Sequence, residues 1–207
     1  MSKDKKGTLD YLREKLGLSG EEKPDRMDTG IVPFETVYMK YKGSDFDEEV
    51  KIVEGDLHPP PLFSWLIKGI VAGSAQLGSL SELAWLKREG VRAIVTLRLE
   101  PLDKIFIEGH GFEYLFLPVA RVPSLGQIKL FLQFMKLMVA QGKPVLIHCR
   151  NGLGRTGTMM AIYLIDIGYY PDEAVKEVEL KYNAKAIVHY EQYAVIKRYF
   201  RYFKRRG

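Results

Sequence analysis

The stretch Ile147-His148-Cys149-Arg150-Asn151-Gly152-Leu153-Gly154-Arg155-Thr156-Gly157 carries the residue types needed to hold a phosphate dianion and attack it without a metal. Cys149 is the single cysteine of the 207 residues, and Arg155 follows it at the sixth position with two glycines between. Small residues let the backbone N–H groups of Arg150, Asn151, Gly152, Leu153, Gly154 and Arg155 turn inward around one anion. A helix opening near Thr156 aims the positive end of its dipole at the same point. Arg155 can fork two N–H donors onto phosphoryl oxygens. The same positive field favours the Cys149 thiolate, the nucleophilic form. A thiolate beneath a phosphate cradle implies attack on phosphorus and a phosphocysteine intermediate, with no metal and no cofactor.

A lone cysteine is more often a small buried hydrophobe, and a glycine-rich strand-to-helix turn alone says little. Here the His-Cys pair, the spacing to arginine and the Arg-Thr-Gly exit coincide at one junction. The stretch is not a nucleoside-triphosphate P-loop, because it lacks the Gly-Lys-Ser/Thr ending.

The elements that must position this loop alternate between strands and helices. Ser79 with Glu82 makes a capping box for a helix ending at Gly90, and a strand follows over 91–97. Residues 114–117 read as another short strand. Ser124 with Gln127 repeats the capping pattern ahead of helical spacing that runs to Gln141-Gly142. Pro144 can begin the strand Val145–Ile147 but hardly interrupt it. Helices are expected over 156–167, from Pro171, and from about Tyr190. The predicted architecture is α/β, a mostly parallel central sheet flanked by helices on both faces, with an N-terminal extension. The reactive loop then lies at the carboxyl end of a strand, where such sheets bind ligands.

His148-Cys149-Arg150-Asn151-Gly152-Leu153-Gly154-Arg155-Thr156-Gly157-Thr158 resembles the signature loop of the cysteine-dependent protein tyrosine phosphatase superfamily, and more narrowly the small atypical dual-specificity phosphatases. Phe63-Ser64-Trp65-Leu66-Ile67 with Ala72-Gly73-Ser74, Leu83-Ala84-Trp85-Leu86, Gly90 through Leu97, and Tyr190-Glu191-Gln192 extend the likeness over residues 61 to 207. The resemblance implies that Thr156 donates a hydrogen bond to the thiolate and that His148 fixes the loop rather than moving protons. It also implies that Gln192 positions the hydrolytic water.

One expected part is missing. The family pattern places a general-acid aspartate ahead of the helix that starts near Ser124, on or beside Val119. No Asp or Glu occurs between Glu113 and Asp166. General acid catalysis typically contributes about 10²–10⁴-fold, more for poorer leaving groups. Glu100 and Asp103, or the acidic run Asp45–Glu49, are substitute candidates. Alternatively the substrate is a phosphotyrosine protein or another aryl phosphate, whose leaving group needs less help. Two further readings stay open, a phospho-ligand-binding module with low turnover and an RNA 5′-triphosphatase or phosphatase.

The chain divides into an extension over 1–60 and a catalytic domain over 61–207, with Pro59-Pro60-Pro61 at the boundary. In the extension, residues 8–18 suit a short helix and Gly17 to Gly30 a linker. Residues 31–42 and 49–54 read as two strands joined at Gly43-Ser44-Asp45. The extension carries 10 Lys and Arg against 14 Asp and Glu, and the catalytic domain 21 against 12. A basic domain steers anionic substrates. Lys197, Arg198, Arg201, Lys204, Arg205 and Arg206 read as a solvated helix face, with an anionic protein, lipid or RNA partner as the alternative. Tyr193, Tyr199, Phe200, Tyr202 and Phe203 are expected to pack that helix. No apolar run of membrane-spanning length and no secretory signal core are present, and a single cysteine fits a reducing cytoplasm.

Overall fold

The computed structural model describes residues 36–39, 50–53 and 57–204. Strands β1 (Thr36–Met39) and β2 (Val50–Val53) pair antiparallel, Thr36 opposite Val53, as their β-branched and aromatic content predicts. The turn between them, the expected helix over 8–18, the linker and the Asp45–Glu49 run lie outside the described residues.

Residues 57–204 are built on a five-stranded sheet in the order β3 (Ser64–Ile67), β4 (Val71–Ser74), β7 (Val145–His148), β5 (Ala93–Thr96), β6 (Glu113–Phe116). β3 and β4 form an antiparallel hairpin, and the other three pairings are parallel. The central strands are buried along their whole length, which is why they read as continuous apolar runs rather than alternating ones.

Helices cover the sheet on both sides. Helix α1 (Leu80–Arg88) starts at the Ser79–Glu82 capping box and stops where Gly90 takes φ +88°, a conformation that favours glycine. Its Leu83, Ala84 and Leu86 pack with Ile94, Leu146, Ile107 and Phe112 in one buried cluster. Ile107 belongs to α2 (Lys104–Gly109), a short helix that the sequence pattern does not announce. Helix α3 (Leu125–Ala140) opens on the Ser124–Gln127 capping box.

Helix α4 (Gly154–Asp166) leaves the reactive loop directly, and all its residues from Thr156 to Ile165 are buried. It lies against α5 (Pro171–Lys181) and α6 (Tyr190–Lys204). A Cβ at Gly73 of β4 would come within 2.7 Å of the Tyr182 ring, so the close approach of this layer to the sheet needs glycine there. On α6, Tyr199 is buried with its hydroxyl donating to Asp166 Oδ1 at 3.2 Å, and Phe200 packs on Tyr170. Lys197, Arg198 and Arg201 face solvent. Among the described residues no helix is long and apolar enough to cross a membrane.

Candidate active site

Strand β7 occupies the middle of the sheet and ends at His148, which delivers Cys149 to the carboxyl edge. The parallel register sets His148 opposite Thr96 of β5, and His148 Nε2 lies 2.7 Å from Thr96 Oγ1. His148 is fully buried, and burial pushes its pKa down from 6.5 to about 4. It is therefore neutral at physiological pH and ties the loop to the neighbouring strand, as the resemblance implied.

That shift has a stability consequence. A histidine with a lowered pKa binds its proton less readily folded than unfolded, so its contribution is complete above pH 6.5 and is lost as pH falls towards 4. A displacement from 6.5 to about 4 corresponds to about 3 kcal/mol. In denaturant unfolding at pH 7.5 and pH 4.5, the wild type is expected to lose most of that amount beyond what His148→Gln loses on acidification. Equal losses would show that His148 does not govern the acid limb.

The signature loop is held by its carbonyls. His148 O accepts from Leu97 N–H at 2.9 Å, Arg150 O from Gln76 N–H at 3.1 Å, and Gly152 O from the buried Tyr182 hydroxyl. In a trans peptide the N–H of the next residue points the opposite way. Anchoring the carbonyls of Arg150 and Gly152 on the protein side thus turns the N–H groups of Asn151 and Leu153 towards the anion position. Gly152 has φ +69°, and a Cβ there would lie 2.6 Å from Ala75 N and 2.8 Å from Ser74 C, so no other residue fits without moving the loop. Burial and the neighbouring Cys149 push the Tyr182 phenol well above its ordinary range, so it stays a donor.

Cys149 is 3% exposed, with Sγ directed at Leu153 O at 3.8 Å. The bond from Thr156 to the sulfur is not made here. Thr156 Oγ1 is buried without a partner among the described residues. Arg155 Nη1 donates to Leu97 O and to Val119 O, both at 3.0 Å, which leaves the Nε–Nη2 edge of the guanidinium for two phosphoryl oxygens. Gln192 is 3% exposed, not an ordinary surface residue. Its Oε1 accepts from Val188 N–H at 2.8 Å and His189 N–H at 3.0 Å, capping the turn into α6. Its Nε2 reaches Gly154, where a Cβ would collide with it.

These groups border one cleft of about 340 Å³, lined by Cys149, Asn151, Leu153, Gly154, Arg155 and Gln192 together with Ala120, Arg121, Val188 and His189. Among the described residues no carboxylate lines it. Val119, where an acid was expected, is 1% exposed and contributes its carbonyl to Arg155 instead of a side chain to the cleft. The two substitute candidates are elsewhere. Glu100 is an exposed side chain paired with Arg98 at 3.3 Å, and Asp103 lines a separate apolar cleft with Leu77, Leu83 and Ile107. Neither is brought to Cys149. The cleft also holds His189 and Arg121, which sequence reasoning missed and which the fold brings in from two different connections.

A thiol at the end of the central strand, a forked arginine six residues on, and a helix opening beneath both define a cysteine-dependent phosphatase site on an α/β domain. The family profile described as "PTP-SAK: Swiss Army Knife protein, DSP-PTPase phosphatase domain" matches residues 60–197, and the chain belongs to that family. The human "Phosphatidylglycerophosphatase and protein-tyrosine phosphatase 1" is 28% identical over 120 residues, covering 53% of this chain and 59% of the human protein. The Arabidopsis thaliana "Phosphatidylglycerophosphate phosphatase PTPMT2" is 27% identical over 123 residues, covering 56% of this chain and 54% of that protein. The chain thus spans just over half the length of these curated relatives. The crystal structure of Tk-PTP in the active form superposes with a TM-score of 0.61 at 32% identity, covering 68% of this chain and 97% of that one. PTPMT1 superposes with a TM-score of 0.62 at 24% identity, covering 70% and 97%, a likeness of fold.

Proposed function

We propose that this domain hydrolyses phosphate monoesters through a phosphocysteine on Cys149, with a phosphotyrosine protein or another aryl phosphate as the substrate class. The observation that carries the reading is a single cleft holding Cys149, the free edge of Arg155 and Gln192, with no carboxylate among its described lining residues. Phosphoryl transfer is then driven by positioning and by charge neutralisation on the equatorial oxygens. No carboxyl group among the described lining residues stands ready to protonate the leaving oxygen. A phenol, with a pKa near 10, tolerates this far better than an aliphatic alcohol. A second reading is supported by the names of the human and Arabidopsis relatives, that of a phospholipid phosphomonoesterase. Arg121, exposed at the cleft, supplies a cation suited to a second anionic group of such a substrate.

The test is a comparison of kcat/KM for a phosphotyrosine peptide, the matching phosphoserine peptide, and phosphatidylglycerophosphate in detergent micelles. The phosphotyrosine peptide is expected to exceed the phosphoserine peptide by about 10²-fold or more. A rate on the lipid above that on both peptides would replace the protein substrate with the lipid one. Binding of phosphopeptide with no release of phosphate from any of the three would overturn the enzyme reading.

A further inference from the structure

We propose that His189 is the proton donor and acceptor of this site, in place of the absent carboxylate. The inference deepens the phosphatase reading and rests on it. Two observations point to the same residue. First, among the described lining residues of the cleft, the side chains of a type that can pass a proton are the nucleophile Cys149 and the imidazole of His189. Arg121 and Arg155 stay protonated.

Secondly, Gln192 cannot do the work of a base. Both lone pairs of its Oε1 are taken by the N–H groups of Val188 and His189. Gln192 therefore offers the hydrolytic water an N–H donor and no acceptor. Something else in the cleft must take the proton from that water. His189 sits at the entry to α6, exposed, with its backbone fixed by the same Gln192 Oε1 bond. His189 thus lines the cleft beside Gln192 and together with Cys149.

The Cys149 thiolate forms the S–P bond while the P–O bond to the leaving group breaks. The His189 imidazolium passes its proton to the departing oxygen, releasing the alcohol or phenol and leaving a neutral imidazole. Water then attacks phosphorus, the imidazole takes its proton, the P–S bond breaks, and thiolate, imidazolium and inorganic phosphate result. The charged groups lining the cleft beside Cys149 are Arg155 and Arg121. Glu191 of α6 reaches it through Arg121, at 3.5 Å.

The experiment measures kcat/KM, which ends at the phosphocysteine, for wild type, His189→Gln and Glu191→Gln over aryl phosphates of graded leaving-group pKa, from pH 5.5 to 8.5. For His189→Gln we expect a loss of about 10²-fold with unactivated phenols, shrinking to less than about threefold with strongly electron-withdrawn ones. An equal loss across the series, or no loss, would overturn the assignment. So would a graded loss appearing in Glu191→Gln instead. These outcomes are distinct from failure of the phosphatase reading, in which the wild type releases no phosphate even from the most activated ester.

Discussion

Cys149→Ser is expected to lower hydrolysis of an aryl phosphate by at least about 10⁴-fold while leaving phosphate binding and the fold in place. The two expectations have separate causes. On the proposed reading, binding comes from Arg155 and from backbone N–H groups whose orientation is set by the Leu97, Gln76 and Tyr182 donors to loop carbonyls, none of which involves the sulfur. Turnover comes from the sulfur, because a thiol ionises far more readily than an aliphatic alcohol and is a good leaving group in the second step. Serine is smaller than cysteine and enters a position that is 3% exposed without crowding it. The measurement is phosphate release together with the inhibition constant for inorganic phosphate and the melting temperature. Acid quench of the wild type during turnover is expected to trap phosphate on the protein, and quench of the variant is not. A residual rate within tenfold of wild type would mean that another group attacks phosphorus.

Much of this site is legible in the amino-acid sequence. The loop from His148 to Gly157 combines rare residue types at fixed offsets, and the physics of anion binding needs all of them together. The two capping boxes, Ser79 with Glu82 and Ser124 with Gln127, form as their spacing predicts, because a local hydrogen-bond pair decides where a helix begins. The helix Lys104–Gly109 is not legible, since six residues are too few to show a helical period. The β3–β4 hairpin shows in the sequence as a stretch of family likeness rather than as two strands, having four residues each and no strong turn pair.

The cleft itself is hidden for a different reason. His189 and Arg121 stand nearly seventy residues apart on connections, and no motif marks either. The absence of an aspartate is readable, but a missing side chain says nothing about what replaces it. That depends on how the β6–α3 connection and the entry to α6 are placed against the loop. Gln192 shows the same limit. Its context marks it as functional, yet only the hydrogen bonds show that its oxygen is already committed to the backbone.

Arg155→Lys tests whether charge or geometry carries the transition state, and the structure favours geometry. The guanidinium serves two tasks with two edges. Nη1 holds Leu97 O and Val119 O at 3.0 Å each, and on the proposed reading the opposite edge forks two donors onto the phosphoryl group. A lysine ammonium carries the charge on one nitrogen at the end of a flexible chain, and cannot hold two carbonyls while forking onto two oxygens. Arginines that stabilise phosphoryl transfer are worth about 10³–10⁵-fold, so a loss of about 10³-fold in kcat/KM is expected even with the charge retained. The same substitution leaves the Val119 carbonyl without its partner. An unpaired buried acceptor costs about 1–3 kcal/mol, which in a chain of this size lowers the melting temperature by roughly 2–4 °C per kcal/mol. Val119 lies in the connection that carries Ala120 and Arg121 to the cleft, so losing its bond loosens that part of the lining. A variant that keeps its melting temperature but loses 10³-fold in rate would assign the arginine to chemistry alone. One that keeps both would show that a point charge suffices and that the fork is not part of the transition state.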